Sequence, residues 1–381
     1  MPLVLLLFEY PTLSGGERSI LTTLEIVRTA GFEIQAIAPP SGPLPDVLQR
    51  KNVRHWPLKF AADGRRRDLN QIRQELHDLI SGIRPDLIHA NSLSTARICG
   101  PVAAELKISS IGHLRDIIRI SQAAIDDLNR HHRLLAVSNA TRDYHVSAGL
   151  DSAKVFTLYN GIDLDLFRPR TPTGFLHREL RIPTDRPLIG AIGQIGLRKG
   201  FDLFLAAAKL VSKANPDAHF VIAGKRFSQK DENRQFESDL DAISQCHLLR
   251  GRVHFLGFRD DIARIVPEFT MLVHPARQEP LGRVLLEAAA CGISVVATDV
   301  GGTGEILGAD TPAARIVDAE DATALATAVG DLLQTPSERR RLGELARRRA
   351  ETRFDRRKSA DNLISHYRTV LDAGPRTTLQ R

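Results

Sequence analysis

Short apolar runs, each bounded by polar or Gly- and Pro-containing stretches, alternate with longer amphipathic stretches along almost the whole chain. Continuous apolar runs of this length suit strands of a sheet covered on both faces, and the amphipathic stretches suit the helices that cover it. In the first part the strands are expected at Leu3–Phe8, Glu33–Ala38, Leu87–His89, Ser109–Gly112, Leu134–Val137 and Val155–Leu158, with helices over Ser19–Ala30 and Asn70–Ser81 among others. The pattern then breaks. Asn160-Gly161 is a strong turn signal, and Pro169, Pro172, Gly174, Pro183 and Pro187 follow closely, which reads as a linker. A second series runs through Leu188–Ile192, His219–Ala223, Val253–Leu256, Met271–His274, Ser294–Ala297 and Ala314–Val317, separated by helices near Phe201–Ala214, Arg283–Ala290 and Thr323–Leu333. Two successive series of strand then helix predict an α/β protein of two doubly wound domains with parallel sheets. The expected bounds are 1–168 and 188–354, joined by 169–187. Two such domains facing each other would leave a cleft between their carboxyl-end loops, a favoured ligand position, with hinge closure as the expected motion.

Composition narrows the classes. A chain of 381 residues accommodates two ordinary domains, and 43% hydrophobic with 25% charged residues is the balance of a globular protein in water. The cysteines, Cys99, Cys246 and Cys291, are odd in number, widely spaced and without a C-x-x-C pattern. They argue against a disulfide framework or a zinc site and fit a reducing cytoplasm. The apolar opening Leu3–Phe8 is too short for a membrane span or a signal-peptide core. The net charge of +7 comes mostly from Arg, clustered at Arg65-Arg66-Arg67, Arg339-Arg340-Arg341, Arg347-Arg348-Arg349 and Arg356-Arg357. Glu338, Glu344 and Glu351 are interleaved with the second and third clusters and favour solvated helix faces; the alternative is peripheral contact with an anionic membrane. Nucleic acid is not an expected partner, since aromatics are only 5% and no nucleic-acid motif is present.

The chemistry concentrates in Arg277-Gln-Glu-Pro-Leu-Gly-Arg-Val-Leu-Leu-Glu287. An apolar strand enters a Pro- and Gly-containing turn that carries Glu279, and a helix carrying Glu287 leaves it, ending at Gly292. Strand, turn and helix is the layout that presents a ligand site at the carboxyl edge of a parallel sheet. Open amides at the helix start favour an anion such as phosphate, and two carboxylates nearby accept hydrogen bonds from hydroxyls. A nucleotide sugar carries both groups. The competing reading is an ordinary surface ion pair between Arg283 and Glu287, four residues apart. Against it, Glu287 is embedded among Leu285, Leu286, Ala288, Ala289 and Ala290, and a helix apolar on nearly every side is buried.

Other segments add to this. Gly193-Gln194-Ile-Gly-Leu-Arg198-Lys199-Gly200 joins a strand to a helix and makes a credible diphosphate cradle, with a mobile surface loop as the alternative. Ser14-Gly15-Gly16-Glu17 follows the first strand; it shapes either a phosphate approach or simply a turn, and it is not the G-x-G-x-x-G fingerprint. His113, followed by Arg115 and Asp116, closes a strand at its carboxyl end and is as open to a structural as to a catalytic role. Gly301-Gly302-Thr303-Gly304-Glu305 suits sugar or phosphate contact, or a helix-initiating loop. Asp163-Leu-Asp165 matches a metal-binding D-x-D pattern but sits just after the Asn160-Gly161 turn, so no metal is expected there.

Over nearly its whole length the sequence resembles glycosyltransferase family 4, the retaining enzymes of the two-domain GT-B fold, in which two doubly wound Rossmann-like domains with parallel sheets face across a cleft. The most specific element is the E-x7-E motif, Glu279 and Glu287. Pro280–Gly292 and Val300–Glu305 look like the donor-binding core; Ser138, Asn160–Asp163 and Phe167-Arg-Pro169 match the interdomain signature; Lys199–Leu203 matches the second phosphate loop. The last helices resemble those that cross back onto the first domain, so 355–381 is expected to complete it. The resemblance implies a nucleotide sugar donor, a UDP-, GDP- or ADP-sugar, bound by the second domain, and a glycan or lipid-linked acceptor at the first. Glu287 would hold ribose hydroxyls, Glu279 would contact sugar hydroxyls near the reacting carbon, and Lys199 with Arg198 would neutralise the diphosphate, helped by the amides around Leu281 and Gly282. Gly193 and Gln194 open that phosphate loop, Gly15 and Gly16 would shape the first domain's face, and His113 matches a histidine near the transferred sugar. No metal or other cofactor is implied if Lys and Arg carry the neutralisation. With no evident nucleophile, retention implies front-face attack assisted by the leaving phosphate. One position departs from the family: Gln194 stands where Arg is common, with Arg198, or less directly Arg283, as its substitute. The implied setting is cytoplasmic, at or near the inner face of a bacterial membrane, in cell-surface polysaccharide synthesis. The alternatives are a nucleotide-sugar epimerase of the same fold and a non-catalytic relative that only binds the donor.

Overall fold

The computed structural model describes residues 1–62, 65–308 and 312–373. The side chains of Arg65 and Arg66, from the first of the arginine clusters, and residues 374–381 of the expected C-terminal segment lie outside the described residues. The chain divides into two compact units. One holds residues 1–161 with the helix Arg356–Ala373, and the other holds 162–355.

The first unit is built on a seven-stranded sheet of β1 (Leu3–Leu7), β2 (Glu33–Ala38), β3 (Arg54–Pro57), β4 (Leu87–Ala90), β5 (Ser109–Leu114), β6 (Arg133–Ala136) and β7 (Val155–Thr157), in the order β3-β2-β1-β4-β5-β6-β7. Every pairing is parallel. Side chains alternate across a strand, so β1 feeds two cores. Leu5 and Leu7 pack with the helices Leu69–Ile83 and Leu93–Glu105, while Val4 and Leu6 pack with Leu24–Thr29 and the C-terminal helix. Each fully buried Leu contributes about 1.5–3 kcal/mol. The C-terminal helix buries Ala360, Leu363, Ile364, Tyr367 and Val370, which is why this distant segment belongs to the first unit.

Two details differ from the sequence reading. The single helix expected over Ser19–Ala30 is two, Gly15–Leu21 and Leu24–Thr29. At the break, Thr22 and Thr23 turn their hydroxyls onto the carbonyls of Arg18 (2.6 Å) and Ile20 (2.8 Å), a local bond that competes with the helical ladder. The strand Arg54–Pro57 lies at the sheet edge and carries charge, so no apolar run announced it.

The second unit repeats the plan with β8 (Leu188–Ile192), β9 (His219–Ala223), β10 (Val253–Gly257), β11 (Met271–His274), β12 (Val295–Thr298) and β13 (Arg315–Val317), in the order β10-β9-β8-β11-β12-β13, again all parallel. In each sheet the order reverses next to the first strand, between β1 and β4 and between β8 and β11. Loops leaving the carboxyl ends at such a reversal diverge and open a crevice.

The division falls at Gly161/Ile162, whereas the sequence suggested 168 with a linker over 169–187. That stretch packs on the second unit. The Ile162 amide donates to the Phe354 carbonyl (2.7 Å), Phe167 is buried, and Phe175–Leu180 is helical. The Glu268 carboxylate accepts from the amides of Thr173 (2.7 Å) and Gly174 (2.8 Å). Prolines here shape an ordered crossing. Several clustered arginines are likewise not on solvated faces. Arg347 donates to the carbonyls of Phe167 (3.0 Å), in a bend, and Ala290 (2.6 Å), at the end of the helix Arg283–Ala290, and Arg349 donates to those of Ile306 (2.8 Å) and Glu305 (3.1 Å), at the end of the helix Thr303–Leu307. Arg341 instead forms a surface pair with Glu338 (2.7 Å).

Candidate functional site

Strand β11 ends at His274, and the chain then runs through Pro275–Gly282 into the helix Arg283–Ala290. Glu279 on this loop is 5% exposed. A carboxylate out of water needs compensation, and two groups converge on the same oxygen, Oε2. One is the Lys199 ammonium, in direct contact; the other is His274 Nε2 at 2.9 Å. A carboxylate only accepts, so the histidine carries its proton on Nε2 and donates. Burial alone would raise the Glu279 pKa, but Lys199, then the His274 hydrogen bond and then Arg198 outweigh it and hold the acid below the usual carboxylate range. His274 itself is pushed down, first by burial and then by the Lys199 charge, with the Glu279 hydrogen bond opposing.

The loop is held from several sides. Arg277 makes a two-pronged ion pair with Asp202 (2.7 Å on each prong), a second pair with Glu320 (2.5 Å), and a bond to the Leu197 carbonyl (3.0 Å). Its amide donates to the Arg198 carbonyl (2.9 Å), stitching the Leu197–Lys199 turn to the Glu279 loop. Thr298 Oγ1 donates to the Ala276 carbonyl (2.5 Å), and the Gly302 amide donates to the Glu279 carbonyl (3.0 Å), so the glycine-rich segment 301–305 braces the acid from behind. Gly200 has φ +66°, and a Cβ there would lie 1.9 Å from the Pro275 carbonyl oxygen; only glycine lets the two loops touch. Gly282 caps the helix at φ +103°, with space for a Cβ blocked by Leu285 at 2.7 Å.

Of the residues singled out from sequence, Lys199, Arg198, Glu279, Gly193 and Gly282 come together here. The Lys199 methylenes pass 3.4–3.5 Å from where a Gly193 Cβ would sit, and Arg198 reaches the Gln278 carbonyl at 3.5 Å. Leu281 is buried beside the helix start, and Gln194 is exposed. Glu287 is 8% exposed and accepts from Arg283 Nε at 2.9 Å. The ion pair weighed as an alternative therefore exists, but with side chains 19% and 10% exposed it is largely withdrawn from the surface. Asp163 Oδ1 accepts from the amides of Asp165 (3.0 Å) and Leu166 (3.1 Å), tying its own turn. Among the described residues no group of three or more His, Cys, Asp or Glu could hold a metal ion, and no helix is long and apolar enough to cross a membrane.

His274 was missed from sequence. Its sequence signal is the same as that of His113, a histidine at the carboxyl end of an apolar strand.

In the first unit, His113 lies in β5 and is 2% exposed. It lines a pocket with Ser19, Thr23, Arg115, Asn160 and Ser359. Gly15 opens the helix Gly15–Leu21, whose start is closed by the Ser14 amide donating to Glu17 Oε2 at 3.0 Å. A Cβ on Gly16 would stand 3.0 Å from Arg115 Cδ, so that glycine makes room for the arginine. Arg115 donates to the Asn91 carbonyl and side chain and to Asn160 Oδ1, each at 2.8 Å.

Residues 13–166 match the family model described as Glycosyltransferase Family 4, and residues 173–349 match that described as Glycosyl transferases group 1. The chain is 31% identical over 252 residues to the alpha-maltose-1-phosphate synthase of Mycobacterium tuberculosis, covering 62% of this chain and 63% of that protein. The match thus spans just under two thirds of that relative. Phosphatidyl-myo-inositol mannosyltransferase of Mycolicibacterium smegmatis is 27% identical across 96% of this chain and 92% of that protein. Among solved structures, Anabaena Alr3699/HepE in complex with UDP-glucose superposes with a TM-score of 0.84 at 20% identity, covering 96% of this chain and 99% of that one, a likeness of fold.

Proposed function

The chain belongs to the glycosyltransferase family 4 and group 1 proteins, and from that premise we propose that it moves a sugar from a nucleotide-diphosphate donor to a hydroxyl of a glycan or lipid-linked acceptor, with retention at the anomeric carbon and without a metal. The observation that carries the reading is the buried Glu279 clamped by Lys199 and His274, with Arg198 close by, at the carboxyl end of β11. The known relatives point the same way: one is named as a mannosyltransferase acting on a phosphatidyl-myo-inositol, and a structure of the same fold holds UDP-glucose.

In this reading the diphosphate lies at the start of the helix Arg283–Ala290, where the first amides have no acceptor within the helix. The bond from anomeric carbon to phosphate oxygen breaks, and negative charge gathers on the leaving diphosphate. Lys199 and Arg198 are fixed cations that stabilise this charge as it develops. Arg198 takes over the contact that Gln194 cannot make. Glu279 accepts from hydroxyls of the transferred sugar and, as an anion, favours the positive charge that develops on the ring. Glu287, oriented by Arg283, accepts from the ribose hydroxyls. The acceptor hydroxyl attacks on the face the diphosphate leaves, and its proton passes to the departing phosphate oxygen. Gly15, Gly16 and His113 belong to the unit that receives the acceptor. The protein works in the cytoplasm, at the inner face of the membrane when its acceptor is lipid-linked, in the making of cell-surface polysaccharide.

The test is incubation of purified protein with a panel of UDP-, GDP- and ADP-sugars, following nucleoside diphosphate and free sugar by chromatography. Slow release of free sugar from one donor, first appearing in the donor's own anomeric form, is the expected result. Interconversion of sugars assigns an epimerase, and binding without turnover assigns a non-catalytic relative; either overturns the proposal.

A further inference from the structure

Arg277 lies two residues before Glu279, and its guanidinium is fully engaged. The group carries its N–H donors in a rigid fork. All five have an acceptor: Nε donates to Glu320 Oε1 (2.5 Å), Nη1 to the Leu197 carbonyl (3.0 Å) and Asp202 Oδ1 (2.7 Å), and Nη2 to Asp202 Oδ2 (2.7 Å) and Glu320 Oε2 (3.1 Å). No N–H is left for a ligand. The proposed reaction gives this side chain no part, yet it joins three segments at the carboxyl edge of the sheet. Leu197 belongs to the turn after β8, Arg277 to the loop after β11, and Glu320 to the stretch between β13 and the helix Ala322–Gln334.

The main chain adds to this. The Arg277 amide donates to the Arg198 carbonyl (2.9 Å), so the carbonyls of both residues ahead of Lys199 accept from Arg277. The turn Leu197–Lys199 is three residues long, and the Gly200 amide closes it onto the Leu197 carbonyl (3.1 Å). Holding its carbonyls fixes the direction in which the Lys199 side chain leaves. Asp202 stands in the first turn of the helix that follows directly, Phe201–Ala214. Glu320 is exposed and has φ +64°, a left-handed conformation that side chains rarely adopt. Strained backbone of this kind gathers at functional sites, and here it aims a carboxylate at Arg277.

We infer that Arg277 is a positioning residue: anchored by Asp202 and Glu320, it sets Lys199 against the Glu279 loop so that the ammonium meets the leaving diphosphate, without itself touching the donor. This rests on the transferase reading given above. The role needs the planar fork as well as the charge. A lysine keeps the charge but cannot make two forked pairs and a carbonyl bond together. Misplacing a reacting group by about 1 Å costs about a hundredfold in rate.

The test measures the coupling between Arg277 and Lys199 in turnover of the donor found by the panel, followed with radiolabelled sugar. Arg277→Met and Lys199→Ala are each expected to lose about a hundredfold. The double variant stays within about tenfold of the poorer single one, because a misplaced ammonium has little left to contribute. A residue that only supports the fold gives losses that multiply, towards about ten-thousandfold, and a double variant outside the tenfold margin overturns the inference. Arg277→Lys is expected to lose about thirtyfold or more; a smaller loss shows that charge alone suffices and overturns it. Glu320→Gly serves if Arg277→Met does not fold. Glycine relieves the positive φ and only an exposed pair is lost, so the melting temperature stays within about 4 °C of wild type while turnover falls about fivefold or more. Turnover above that limit, or a larger fall in melting temperature alongside the lost turnover, overturns the positioning role and leaves the transferase intact. If the wild type turns over no donor, the transferase reading fails, and the cycle is read instead on calorimetric binding of UDP, GDP or ADP. Lys199→Ala is then expected to weaken binding about tenfold in the wild type and less than about threefold in Arg277→Met, and equal weakening in both overturns the inference. A wild type that binds none of the three nucleotides sinks both readings.

Discussion

Lys199→Met removes the ammonium that faces Glu279 and keeps most of the apolar stem. The two side chains are 14% and 7% exposed, so the pair is buried, and the small values typical of surface pairs do not apply. Removing one partner of a buried pair leaves an uncompensated charge and costs about 3–5 kcal/mol. The pH dependence gives the mechanism away. In the wild type the folded Glu279 pKa lies below its unfolded value, so its stabilisation is present above roughly pH 4.3 and is lost as pH falls through the lower, folded value. In the variant, burial is opposed only by the His274 bond and Arg198, and the folded pKa moves up. Once it exceeds the unfolded value the sign reverses, and the folded state binds the proton more tightly. The penalty is then largest at pH 7 and shrinks towards about pH 5. Denaturant unfolding, followed for the transition of the second unit at both pH values, measures this. Adding Glu279→Gln to Lys199→Met should return most of the loss, since no charge remains buried, and a double-mutant cycle isolates the coupling. A wild-type midpoint for Lys199→Met at pH 7, equal losses at the two pH values, or a double variant worse than the single would refute the reasoning.

Other consequences are more direct. Glu279→Gln and Lys199→Ala are expected to lower donor turnover by about a hundredfold or more, checked by steady-state kinetics at saturating donor. Gly200→Ala places a methyl against the Pro275 carbonyl at positive φ and should cost about 1–3 kcal/mol or more, lowering the melting temperature by several degrees in a thermal scan. Gln194→Arg adds a second cation at an exposed position of the phosphate loop; because Arg198 already makes that contact, kcat/KM should stay within about threefold of wild type, and a rise of about tenfold or more, the size of a new charge-assisted bond of about 1.5–3 kcal/mol, would show that Arg198 does not fill the role. Turnover should survive EDTA, and activity lost to the chelator and restored by magnesium would contradict neutralisation by Lys199 and Arg198.

What the sequence made legible follows the range of the physics involved. Buried parallel strands are apolar on both faces, so β1, β8, β11 and their neighbours stood out as runs, and the two-sheet plan followed from their alternation with helices. Edge strand β3 sits half in solvent, carries Arg54 and His55, and left no such run. Glu279 and Lys199 were legible because each lies on a turn that follows a strand, where local sequence reports local geometry. That they touch was not, since they are 80 residues apart. The same distance effect hid the rest. Arg277 was seen only as the start of a segment, yet it holds the loop through Asp202 and Glu320, partners 75 and 43 residues away. Tyr367 is 278 residues from His89. No periodicity links a helix near the chain's end to a strand in its first quarter; only the docking of Leu363, Ile364 and Val370 against the sheet brings that hydroxyl to the histidine. The apolar contacts that set the C-terminal helix also set the hydrogen bond between the Tyr367 hydroxyl and His89 Nδ1. A substitution on that helix's buried face, such as Leu363→Ala, should therefore shift the His89 signals in a ¹⁵N-histidine NMR spectrum as well as lower stability, and one on its exposed face should do neither.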